Sequence, residues 1–182
     1  MSSKTPNASC RIEGAAWTLT FTSEVLRVLG GQIQTGWTSK ESVGQLYSRD
    51  LTQSDIVVGL ATVLPKTRAH YSGVQFSPEM AANERADLFK DGWHCVGLWH
   101  SHPEPYPEPS TTDGMLAMNH AQAAATHLYG LVFAILGNRP PPDGLGVWLH
   151  DGTKFLRADW CHPVAAAAPQ ESKQISQKAK KK

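Results

Sequence analysis

Residues 95–136 read CVGLWHSHPEPYPEPSTTDGMLAMNHAQAAATHLYGLVFAIL. Cys95 to Ser101 is a β-rich apolar run. Pro103 ends it, because proline has no N–H to give to a ladder. After a proline-spaced loop (Pro105, Pro107, Pro109), Ser110 precedes a helix expected over 111–125, with Asp113 three residues on. That Ser-x-x-Asp spacing is a variant capping box and puts Asp113 in the first helical turn. Residues 128–136 form a long apolar stretch, as in a strand buried on both faces. Strand, helix and buried strand in that order indicate a mixed α/β fold.

The reading extends outward in both directions. Residues 17–21 (WTLTF) alternate apolar and polar, a strand signal. Ser23 reads as the cap of a short helix carrying Val25, Leu26 and Leu29, stopped by Gly30-Gly31. Residues 43–47 and 56–64 read as a paired hairpin, and 69–76 as a third strand. Ser77-Pro78-Glu79 is a helix start, serine at the cap and proline in the first turn, with the helix running to about residue 90. The turn NRPPPDG (138–144) leads to a strand at 147–149, and 155–156 closes the sheet. The expected architecture is an α/β (α+β) sandwich, a mixed sheet flanked by helices. Residues 1–14 read as an N-terminal arm, 15–163 as the domain, and 164–182 as an Ala/Lys-rich tail too poor in apolar residues to fold.

Composition removes several classes of function. The 182 residues fit one domain. The net charge is +1, but five lysines and one acid fall after residue 170, leaving 12 bases against 15 acids before it. A body of net charge −3 does not suit a phosphate backbone, so nucleic acid is not expected as a partner. No apolar run is long enough for a membrane span, and the polar start MSSKTPNASC lacks a signal peptide's apolar stretch. The three cysteines, Cys10, Cys95 and Cys161, form no CxxC. The expectation is therefore a cytoplasmic protein with reduced thiols.

The chemistry gathers around His100, His102 and Asp113. With a strand period of two, both imidazoles point to one face. A stiff proline loop then sets the distance to the carboxylate at the helix start. Eight histidines make an HxH pair weak evidence by itself, but Pro103, Ser110 and Asp113 at fixed offsets make the pattern specific. Two histidines and one carboxylate, without a fourth protein ligand, suit one catalytic zinc per chain with a position left for water. Zinc lowers the pKa of such a water to about 7. Peptide-type hydrolysis then also needs a general base and an oxyanion donor, and Ser110 fits the second role. Glu104 and Glu108 lie in the loop and could face substrate. Glu24, Glu79 and Glu84 read as solvated helix positions, His94 and Cys95 as strand residues, and His120 and His127 as surface or packing residues.

His-Ser-His-Pro followed by Ser and Asp at these offsets resembles the JAMM (MPN-plus) metalloprotease motif, and the likeness extends over about residues 18–157. The resemblance implies a cytidine-deaminase-like MPN/JAB sandwich and an upstream catalytic glutamate, which falls on Glu41 in Glu41-Ser42-Val43-Gly44-Gln45-Leu46. Val43 stands where the family usually has a glycine. The implied activity is a zinc isopeptidase that removes a ubiquitin-like modifier from lysine or trims its precursor. Glu41 would be the general base and Ser110 the oxyanion donor, with Trp99, Glu104 and Tyr106 lining the substrate groove. The flavour Trp-His-Ser-His-Pro-Glu is similar to small bacterial members, many grouped with E1-like and E2-like proteins in ubiquitin-like conjugation or antiphage operons. The implied partners are accordingly a ubiquitin-like protein and its conjugates. The competing readings are a catalytically silent MPN scaffold and a zinc hydrolase of a small non-protein substrate.

Overall fold

Ala8–Ile12 (β1), inside the stretch expected to be an arm, is an interior strand of the sheet in the computed structural model, which describes residues 6–35, 41–65 and 77–161. Ala8, Cys10 and Ile12 alternate with Ser9 and Arg11, but five residues are too short a run to define a strand alone. They are ordered by pairing antiparallel on one side with Thr18–Phe21 (β2) and on the other with Phe155–Trp160, the last strand of the chain. Cys10 and Ile12 point into the core. Ser23–Gly30 (α1) follows β2, capped by Thr22 rather than Ser23: the Thr22 hydroxyl accepts the Val25 N–H at 3.3 Å. Its buried face is Val25, Leu26 and Leu29, as the spacing indicated. Each such side chain contributes roughly 1.5–3 kcal/mol through burial.

Val43–Ser48 (β3) leads to the run expected to be a single strand of a hairpin. It is two strands. Asp55–Val58 (β4) pairs parallel with β2, whereas Leu60–Ala61 (β5) pairs antiparallel with β3. Gly59 divides them, and its N–H donates to Tyr47 O at 3.0 Å. The hairpin expectation holds for the β5 half only. The remaining elements are Pro78–Lys90 (α2), His94–Ser101 (β6), Thr111–Ala124 (α3), Leu131–Leu136 (β7), Leu145–His150 (β8) and the final strand Phe155–Trp160 (β9). Ser77 caps α2 and Pro78 opens it, as the sequence indicated. The expected strand at 69–76 and the tail after residue 163 lie outside the described residues.

The sheet order is β4-β2-β1-β9-β8-β7-β6-β3-β5. Its terminal strands, β4 and β5, are joined by Gly59 alone, so the sheet curls until its two ends meet. All six residues of β7 are buried. Val132, Ala134 and Leu136 join the main core with α1, and Leu131, Phe133 and Ile135 join a second core under α3. This is the two-faced burial expected of a continuous apolar strand. A bulge at Val96 interrupts the β3–β6 register and lets Val96 and Trp99, three residues apart, share the main core. Beyond it Leu98 and His100 lie on the α3 face. Gly44 permits the close crossing beside them, because a Cβ there would lie 1.8 Å from Thr62 O and 2.5 Å from the Trp99 indole nitrogen. No helix among the described residues is long and apolar enough to cross a membrane.

Candidate metal centre

His100 is the penultimate residue of β6 and His102 follows the strand. Val43 of β3 is paired with His100, and Ile135 of β7 lies on its other side. The His102 N–H donates to Leu136 O at 2.7 Å, so the chain holds its extended course past the strand end. Asp113 comes from α3. Ser110 caps that helix in a full capping box: its Oγ accepts the Asp113 N–H at 3.2 Å, while Asp113 Oδ2 accepts the Ser110 N–H at 2.7 Å. The Ser110 hydroxyl also donates to Oδ2 at 2.7 Å.

The three side chains converge. His100 Nε2 lies 2.9 Å from His102 Nε2 and 3.2 Å from Asp113 Oδ1, and His102 Nε2 lies 4.0 Å from Asp113 Oδ2. Tetrahedral ligands about 2.0 Å from zinc stand roughly 3.3 Å from one another, so these spacings suit a shared cation. The donor types fit as well, since two imidazoles and a carboxylate without thiolate form a catalytic rather than a structural zinc set. His100 and Asp113 are buried. Burial holds the His100 pKa down at about 4, with His102 adding to the effect and Asp113 opposing it. The imidazole is therefore neutral at pH 7, as a ligand must be. His102 Nδ1 faces Glu104 Oε2 at 3.4 Å. A proton held on Nδ1 leaves the Nε2 lone pair for the centre.

Glu41 stands two residues before Val43 and is half-buried. The β3–β6 pairing ends at Val43 and His100; beyond it the Ser101 N–H donates to Ser42 O at 2.9 Å, which ties the residue after Glu41 to the strand end that carries the histidines. Glu104 and Tyr106 are exposed in the loop after the histidines. Tyr106 meets Arg139, which both donates to its hydroxyl and lies over its ring at 5.1 Å. Trp99 does not line a groove. It is fully buried in the main core, with its indole N–H on Thr62 O at 2.8 Å, because adjacent strand residues face opposite ways.

Two features escaped the sequence reading. Gln34, buried after α1, donates from Nε2 to Ser101 O at 3.0 Å and to Ser101 Oγ at 3.2 Å, and Ser101 Oγ accepts the Ser42 N–H at 2.9 Å. Glu84, expected to be solvated, is the acceptor of a network: its Oε1 takes Gln45 Nε2 (2.8 Å), the Tyr47 hydroxyl (2.9 Å) and the Thr62 hydroxyl (2.6 Å). Both link residues far apart in the chain, and no local spacing signals either. Glu24 and Glu79 are exposed as expected.

A fold and a site of this kind define a class, the JAB-domain proteins. The model of the prokaryotic homologs of the JAB domain matches residues 22–149, and the chain belongs to that family. The family includes metalloisopeptidases and inactive members, and it is often zinc-dependent. A comparison with curated proteins found no match. Among solved structures, the chain is similar to protein DSY2949 from Desulfitobacterium hafniense, with a TM-score of 0.55 and 21% identity over 72% of this chain and 83% of that one. It is also similar to a protein from Salinibacter ruber, with a TM-score of 0.49 and 20% identity over 81% of this chain and 94% of that one. At such identities the first likeness speaks for the fold alone.

Proposed function

We propose that the protein is a zinc-dependent isopeptidase that hydrolyses the bond after the C-terminus of a ubiquitin-like modifier, freeing it from a lysine or from its precursor. The observation that carries this reading is the convergence of His100, His102 and Asp113 within a JAB domain. These three residues would hold zinc, which supplies Lewis acidity and brings the pKa of a water near 7.

The chain's own residues do the rest. Glu41, next to Ser42 whose carbonyl accepts the Ser101 N–H between the two histidines, takes the proton of the attacking water and delivers it to the leaving amine. The Ser110 hydroxyl turns from Asp113 Oδ2 towards the oxyanion of the tetrahedral carbon, while the Ser110 backbone N–H remains on Oδ2 and keeps the ligand oriented. Glu104 fixes the His102 tautomer and, with exposed Tyr106, borders the approach to the centre. The partners proposed are a ubiquitin-like protein, its conjugates, and E1-like and E2-like proteins of the same operon; the setting proposed is the cytoplasm.

The test is to fuse a ubiquitin-like modifier, with ubiquitin as a surrogate, to a reporter through its natural tail. Chelator-sensitive release at the modifier's last residue is expected. A zinc-loaded enzyme that cleaves a small unrelated substrate but never the modifier would overturn the reading.

A further inference from the structure

A cavity of about 240 Å³ lies on the α3 face of the sheet, walled by Arg85 of α2, His120 and Ala124 of α3, Cys95 and Leu98 of β6, and Leu131 of β7. Leu98 is two residues before His100 on the same face of β6, about 7 Å away along the strand. The cavity thus adjoins the candidate metal centre but shares no residue with it.

The Arg85 side chain is held in place. Its guanidinium donates to Gln45 Oε1 at 2.6 Å. Gln45 is fully buried, and its Nε2 is fastened to Ala81 O at 3.2 Å and to Glu84 Oε1 at 2.8 Å. A buried amide in mid-strand is costly unless its hydrogen bonds are made, and here those bonds anchor an arginine at the cavity wall. Glu84 Oε1 serves Gln45, Tyr47 and Thr62, and among the described residues no carboxylate lies within 4.0 Å of the Arg85 guanidinium. His120 is held below its usual pKa, by burial first and by the charge of Arg85 second, while Cys95 on the same wall feels Arg85 and the opposing Glu84 carboxylate. Burial pushes the Cys95 thiol up to about 11, which leaves it neutral.

We propose that this cavity binds a small monoanionic carboxylate with an apolar body, the carboxylate on Arg85 and the body against Leu98, Ala124 and Leu131. A guanidinium matches a carboxylate in geometry as well as charge. One fixed cation, bonded to the same Gln45 amide as the Glu84 carboxylate, suits a single negative charge rather than a phosphate dianion. The apolar remainder of the wall suits hydrocarbon, because convergent polar groups in an otherwise apolar pocket set a ligand's orientation.

The experiment uses the full chain, isotope-labelled for amide correlation spectra, with and without added zinc, at constant ionic strength. Benzoate is the probe; benzyl alcohol and inorganic phosphate are the comparisons. Saturable shifts are expected around residues 85, 95, 98, 120 and 124 in both zinc conditions, with neither comparison compound saturating there. Arg85→Gln should weaken benzoate by about tenfold or more, as loss of a charge-assisted pair does. If that variant does not fold, Ala124→Leu fills the cavity without touching the Gln45 network and should abolish binding. Four results would overturn the proposal: no saturation by about 10 mM, equal response to benzyl alcohol, equal response to phosphate, or shifts confined to His100, His102 and Asp113.

Discussion

Gln34 and Ser101 are 67 residues apart in the chain and joined by two hydrogen bonds from one amide nitrogen, 3.0 Å to the Ser101 carbonyl and 3.2 Å to its hydroxyl. Ser101 sits between the two histidines, and its hydroxyl also receives the N–H of Ser42, the residue after Glu41. One buried amide therefore braces the strand that carries the imidazoles and, through Ser101, the segment that carries the carboxylate. Gln34→Leu keeps the approximate volume and removes the donor. The expected cost is about 1–3 kcal/mol, the usual price of leaving buried acceptors unpaired. Urea unfolding measures it, and an unchanged midpoint would show that water replaces the amide without loss.

The zinc expectation rests on the triad. Elemental analysis should find one zinc per chain in the wild type and loss of stable zinc in His102→Ala and Asp113→Ala. Removing one of three protein ligands leaves too few donors for an open catalytic site. Full occupancy in His102→Ala would move the site elsewhere.

Glu41→Gln is expected to retain zinc and fold yet lose several orders of magnitude in turnover, because the substitution keeps size while removing the proton acceptor. The informative comparison is metal content against rate in the same preparation. Near-wild-type turnover would assign the base elsewhere, with Glu104, 3.4 Å from the His102 ring, the next group to replace.

Glu84→Ala addresses stability at a position that the sequence represented as solvent-facing. Its Oε1 accepts from three donors, one of them the hydroxyl of fully buried Tyr47. Burial is the first cause holding the Tyr47 pKa well above its ordinary value, with Glu84 adding to it, so the phenol stays a donor at any working pH. Truncation leaves several part-buried donors unpaired, and a loss of roughly 3 kcal/mol is expected. Thermal unfolding reads it; a change within about 0.5 kcal/mol would return Glu84 to the solvated class.

What could be read from the chain was local. The grouping of His100, His102 and Asp113 depends on a strand period of two and a capping box of three residues, both visible in 14 consecutive positions from His100 to Asp113. The α1 stripe, the Ser77-Pro78 helix start and the buried run of β7 were legible for the same reason. What was missed is pairing at a distance. β1 alternates apolar and polar over only five residues, and it is ordered because β2 and β9 flank it. The 56–64 run looks continuous, yet Gly59 lets its halves join opposite ends of the sheet. Gln34 and Glu84 carry no local signature, since their partners lie dozens of residues away. Trp99 is a different case: the strand period that brings His100 and His102 together already turns Trp99 away from them.

Ser110 has an observed role as a helix cap and a proposed one as an oxyanion donor, both resting on one hydroxyl. As a cap it accepts the Asp113 N–H and donates to Asp113 Oδ2; as an oxyanion donor it must give up the second bond during turnover. Ser110→Ala removes both, with an expected cost of about 1 kcal/mol in stability and on the order of 10²–10³ in rate. Ser110→Asp retains a capping acceptor but has no hydroxyl to donate, and it brings a second negative charge beside Asp113. The decisive variant is therefore Ser110→Thr, which keeps the cap and the donor together. Activity restored by threonine, alongside alanine's loss in kcat rather than in KM, is the result expected of a group that acts in the transition state. If alanine lowers the unfolding midpoint but leaves kcat within about twofold, Ser110 is a helix cap and the oxyanion donor lies elsewhere.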